Sequence, residues 1–137
     1  MEKQASEKHK LLVTWAAECA EHVLSIFEKS CSEDDRPRVA IEAARAWVIG
    51  KLKISEVRKL ALAAHAAARD SKLPRAIAAA RSAGHAAATV HVPTHAKYSA
   101  IYAAKATPHP ETEINWQLSK LPDNLKLIIQ LNKKPEL

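Results

Sequence analysis

Residues 58–95 read RKLALAAHAAARDSKLPRAIAAARSAGHAAATVHVPTH, almost entirely alanine, other helix formers, or polar residues set singly among alanines. Alanine is the strongest helix former, and its methyl side chain lets helix backbones approach one another closely. A chain with this centre is constrained to tightly packed helices. Only 2 glycines and 4% aromatics argue against sheets built on tight turns and on aromatic strands. The same stretch concentrates His65, Arg69, Arg81, His85, His91 and His95. On close-packed helices such side chains must reach water or find partners inside.

The chain has 137 residues, enough for one domain whose core needs no metal or disulfide to hold it. One all-α domain over residues 1–137 is expected, with its core at about 6–131. Its two cysteines, Cys19 and Cys31, would lie ~18 Å apart on one continuous helix, far beyond the roughly 7 Å a disulfide spans. Reduced thiols, a charged N-terminus without an apolar leader, and no apolar run near ~20 residues fit a cytoplasmic protein without a membrane span.

The formal charge of +6 comes from 21 Lys and Arg against 15 Asp and Glu, spread along the chain. That distribution reads as a solvated basic surface. A nucleic-acid reader would interleave aromatics with a basic face, whereas Trp15, Trp47, Trp116, Phe27, Tyr98 and Tyr102 mostly read as core. Nucleic acid therefore ranks low among partners.

Hydrophobic periodicity and end signals place about seven helices, at 6–29, 37–49, 56–70, 74–90, 95–106, 111–119 and 123–131. Ser6, Ser55 and Thr94 look like N-caps, and Asp34 and Asp35 suit the start of the second helix. Pro37 and Pro74 open helices without wasting an N–H. Gly50 fits a C-terminal cap position.

Four helices carry stripes that mix ionisable and apolar residues at i, i+4, i+7 and i+11, a spacing that puts them on one face. They are Trp15, Cys19, His22 and Ile26; Arg38, Glu42, Arg45 and Ile49; Arg58, Leu62, His65 and Arg69; and Arg81, His85, Ala88 and Val92. If the stripes converge, they make a polar pocket from Asp35, Arg36, Arg38, Glu42, Arg45, His65, Arg69, Arg81, His85, His91 and His95. Asp34, Asp35 and Glu42 are its candidate counter-ions. The plainer reading is a structural network, with Arg38–Glu42 and Glu42–Arg45 as ordinary intrahelical pairs.

No metal or cofactor is expected. His91 and His95 flank Pro93, no His-Glu-x-x-His or Cys-x-x-Cys occurs, and no carboxylate lies among His85, His91 and His95. No nucleophile elbow or phosphate loop is present either. Cys19 and His22 could pair as nucleophile and base, but the sequence offers them no third orienting group.

The segments WAAECAEH (15–22), DDRPR (34–38), AARAW (43–47), AHAAAR (64–69) and AGHAAATVHV (83–92) resemble the Imm-5-like immunity proteins of bacteria. Trp116-Gln117 and Leu121-Pro122 extend the likeness, which covers about residues 11–131. No single segment is highly specific; their order and spacing carry the resemblance. It implies an all-α, non-enzymatic protein of the bacterial polymorphic toxin systems, binding a cognate protein toxin and blocking it. Some members carry an exonuclease-type label, for which these residues offer no chemistry. The alternative expectation is a helical small-ligand or metal-binding domain using the His/Arg cluster.

Overall fold

The computed structural model describes residues 5–126. Six α-helices follow in order: α1 (Glu7–Ser30), α2 (Arg36–Val48), α3 (Ile54–Asp70), α4 (Pro74–Ala88), α5 (His95–Ala106) and α6 (Pro110–Lys120). Residues 123–126 are helical and begin the seventh expected helix, whose remainder lies outside the described residues. The protein is all-α, and no helix among the described residues is long and apolar enough to cross a membrane.

Helix α4 is the hub and packs against α1, α2, α3 and α5. Its sequence makes that possible, since Ala76, Ala78, Ala79, Ala80, Ser82, Ala83, Gly84, Ala86 and Ala87 are all buried and all small. Small residues on every side let four helices approach one helix. Bulk is supplied by α1, where Val13, Trp15, Val23 and Phe27 are buried. Each such side chain removed from water contributes roughly 1.5–3 kcal/mol.

The α4–α5 crossing is clipped by two buried serines. Ser82 Oγ donates to the Ser99 carbonyl at 2.7 Å, and Ser99 Oγ lies 2.9 Å from the Ser82 carbonyl and 3.1 Å from the Ala16 carbonyl of α1. Helix α6 is fastened by Gln117. Its side-chain amide N–H donates to the Ala100 carbonyl, and its backbone carbonyl accepts from the Trp15 indole N–H, both at 2.8 Å. Buried polar groups placed this way fix the helices' register.

Several helix ends follow their sequence signals. Ser6 Oγ accepts from the His9 N–H. Pro37 and Pro74 sit in first turns. Gly50 has φ 79°, and bonds from its N–H to Trp47 and from the Lys51 N–H to Ala46 close a Schellman motif.

Other ends differ from expectation. Lys53, not Ser55, is the N-cap of α3, because the Glu56 carboxylate reaches back to the Lys53 N–H at 2.9 Å. At α2 the acceptor for the Arg36 N–H is Asp34 rather than the N-cap Asp35. Thr94 makes no side-chain cap bond to α5. Helix α4 stops at Ala88, and turns occupy most of the stretch before α5, where Pro93 cannot continue a hydrogen-bonded helix.

Candidate functional site

The expected polar layer divides into two separate groups. The first joins α1 and α2. Arg38 makes a paired contact with Glu28, at 2.8 and 2.6 Å, and Arg45 meets Glu21 at 2.8 Å. Arg36 bridges Asp34, at 2.6 Å, and Asp70 at the end of α3, at 2.9 Å. These bonds hold the Asp34 carboxyl below its ordinary range and raise the Arg36 and Arg38 guanidinium values. The expected intrahelical partner Glu42 is exposed, and α1 supplies the acids instead. Ala40, Ile41, Ala43, Ala44 and Trp47 form the buried side of α2, so its Arg38–Glu42–Ile49 stripe faces outward. Asp35, Arg36, Arg38, Glu42 and Arg45 therefore stand outside the histidine cluster.

The second group lies across α3, α4 and α5 and is built on four of the anticipated residues. Arg81 Nη1 donates to His65 Nδ1 at 2.8 Å. A guanidinium only donates, so neutral His65 carries its proton on Nε2. The ring lies directly on α4 at Gly84, where an added Cβ would come within 2.6 Å of His65 Nε2. Absence of a side chain at that position is what allows the close approach. His65 meets His85 edge-on with centroids 4.8 Å apart, and His85 Nδ1 stands 2.9 Å from His95 Nδ1. One of those two rings must donate and the other accept, so both cannot be imidazolium in this geometry.

Burial, with the charge of Arg81 next, pushes His65 down to about 4. Burial also pushes His85 down to about 4, followed by the charges of His65, His95 and Arg81. His95 is lowered for the same leading reason, with His91 second. Exposed Arg69 and His91 thus act on the cluster by charge, from its edge.

Two residues missed in the sequence complete the group. Tyr102 stacks on His85, centroids 5.3 Å apart and 7° from parallel, and Tyr98 packs on the same ring at 5.6 Å. The aromatics are expected mostly in the core, but Tyr98 is exposed and Tyr102 half-buried. Their spacing from His95, at i+3 and i+7, was the available signal for a shared face of α5.

At neutral pH His65 and His85 are therefore uncharged, and the Arg81 guanidinium lies beside them. A ring that protonates only near 4 is a weak general base at pH 7. The His85–His95 nitrogens are closer than the about 3.3 Å expected of two imidazoles on a tetrahedral zinc. Among the described residues no group of three or more His, Cys, Asp or Glu side chains is arranged to hold a metal ion.

Cys19 and His22 acquire the third group that the sequence lacked. His22 Nδ1 donates to Glu113 Oε2 at 2.7 Å and stacks on Trp116 with centroids 3.6 Å apart. The thiol does not join them. Cys19 is fully buried, and burial followed by the Glu113 charge pushes it well above the usual thiol range. A protonated thiol sealed from solvent is a poor nucleophile. The trio His22, Glu113 and Trp116 fastens α6 to α1. No local signal announces it, because its partners are 91 residues apart.

No curated protein and no solved structure matches the chain. A family model described as Imm-5 like putative immunity protein matches residues 2–124. That span covers nearly all of the helical core and both charged groups, and the chain belongs to this Imm-5 like family.

Proposed function

We propose that the protein is a non-enzymatic binding protein that neutralises a bacterial toxin by direct contact. The observation that carries this reading is the family match over residues 2–124, which includes all of α1 to α6. Site chemistry supports binding over turnover: His65 and His85 are held neutral, and the Cys19 thiol is sealed. Neutral imidazoles, two tyrosines and one arginine offer hydrogen bonds, flat ring surface and a positive charge, the materials of a recognition surface.

The test is co-expression with the toxin encoded beside this chain. Cells should survive toxin induction only when the chain is present, and the two proteins should co-elute in size-exclusion chromatography. Survival without co-elution would defeat direct neutralisation. A second reading, a small-ligand or metal-binding domain using the His/Arg cluster, draws on the gathering of the His65, His85 and His95 rings and Arg81 across α3, α4 and α5. Elemental analysis and thermal denaturation of tag-free protein, with and without chelator, would reveal a bound metal.

A further inference from the structure

We infer that the outer face of α5, with the groove between α5 and α6, docks an acidic, amphipathic segment of a partner protein. This rests on the reading of the chain as a binding protein and names the chemistry of its partner.

The groove measures about 290 Å³. Trp15 contributes to its lining, Ala100, Ile101 and Ala104 form the α5 wall, and Pro110, Ile114 and Leu118 form the α6 wall. Ile101 and Ile114 are large apolar residues left 42% and 38% exposed, too open for core packing alone. Lys97 and Lys105 also line the groove. Each ammonium lies 5.1 Å from a tyrosine ring, Lys97 over Tyr98 and Lys105 over Tyr102. Those tyrosines pack on His85, so the groove wall and the histidine cluster are two flanks of one helix.

Charge decides the occupant. Residues 71–110 contain Lys72, Arg75, Arg81, Lys97 and Lys105 and no Asp or Glu. Of these, Lys97 and Lys105 are the charged residues that line the groove, while the α6 wall brings exposed Glu111 at its start and Lys120 at its end. A second copy of the chain would bring the same two groove lysines against each other. The chain's own end, residues 127–137, carries Lys133 and Lys134 against a single Glu136 and has the wrong sign. An apolar floor suits a protein side chain better than a phosphate backbone, which calls for cations alone. A segment placing Leu or Phe in the groove and carboxylates toward Lys97 and Lys105 satisfies both features.

The probe is an 18-residue helical peptide of Leu and Glu with its leucines on one face, titrated by fluorescence anisotropy into the full chain. Controls are the same peptide with Lys for Glu, and a 20-base-pair DNA duplex. The acidic peptide should bind more weakly as salt rises, and the basic one should not bind. Ile101→Glu and Lys105→Glu should each weaken binding by roughly tenfold. Both positions are exposed, so circular dichroism and thermal melts should stay unchanged. DNA binding that needs Lys105 but not Ile101 would overturn the inference in favour of nucleic acid. Dimerisation lost in Ile101→Glu would assign the face to a second copy. Nuclear Overhauser contacts from Ile101 to Leu127 or Ile129 in the free chain would assign the groove to the chain's own end.

Failure of this inference is distinguishable from failure of the toxin reading. If both variants protect cells from the neighbouring toxin as well as the native chain does, the docking face is wrong and neutralisation stands. If the peptide binds through Ile101 and Lys105 but no neighbouring toxin is neutralised, the reverse holds.

Discussion

The arginines of α2 and the Arg81 cluster of α3–α5 use similar residues in opposite ways. Beside α2, Arg36, Arg38 and Arg45 each meet a carboxylate from α1, from the loop before α2, or from the end of α3. Their charges are spent on fastening helices, at positions largely open to water. In the second region Arg81 and His65 hydrogen-bond to each other, and the groups acting on the histidines are themselves basic. The difference lies in the facing helices. Helix α1 brings Glu21 and Glu28 to α2, whereas α4 and α5 contain no acid. Paired charges fasten the first region, whereas the second is held by the Arg81–His65 bond and by contacts between rings.

Gly84 tests the histidine side of that comparison most sharply. Gly84→Ala places a methyl against the His65 ring and should break its bond to Arg81, costing about 1–2 kcal/mol in urea denaturation. With His65 already changed to Ala, the same Gly84→Ala substitution should stabilise α4 by up to ~1 kcal/mol, since alanine is the better helix former. A double-mutant cycle without coupling would show that the His65 ring does not pack against α4 at Gly84.

Acid separates the two regions next. In the unfolded chain His65 and His85 take up protons near 6.5, but in the folded chain only near about 4. Between those values the unfolded state binds more protons, so stability falls as pH drops from 6.5 toward 4. Solvent at these half-buried rings moderates the loss. His65→Gln with His85→Gln should flatten this limb of the urea-midpoint profile. Asp34 behaves differently. Its folded value lies below the ordinary 3.8, so its stabilisation is lost only on further acidification. A profile with no slope above pH 4, or a slope that survives loss of both histidines, would contradict the neutral cluster.

The smallest effect belongs to the α1–α2 ion pairs. Arg45→Gln should cost at most a few tenths of a kcal/mol, because the pair with Glu21 is open to solvent. The cost should vanish in ~1 M salt, where the screening length is about 3 Å. A larger, salt-independent loss would make this contact part of the core instead.

Much of the helical layout was legible in the chain. Pro37, Pro74 and Gly50 mark helix ends through backbone constraints that act locally, so they hold in any tertiary setting. The cap of α3 falls at Lys53 rather than at the expected Ser55 because the Glu56 carboxylate reaches back to the Lys53 N–H, a contact that only side-chain geometry reveals. Among site residues, His65, Arg81, His85 and His95 were recognisable as polar groups on alanine-rich helices. Their separation from Arg38, Glu42 and Arg45 was not, because helical spacing groups residues on a face without saying which helix that face meets.

The sequence by itself determined an all-α chain with a small-residue centre, since alanine content and punctuation act through local propensity and the size of each side chain. Tertiary structure decided which charges are paired. It placed Glu21 and Glu28 opposite α2, brought Glu113 to His22 across 91 residues, and left the α4–α5 face without an acid. Electrostatic partners are set by distance in space, and an α-helix fixes such distances only for residues three or four apart along itself.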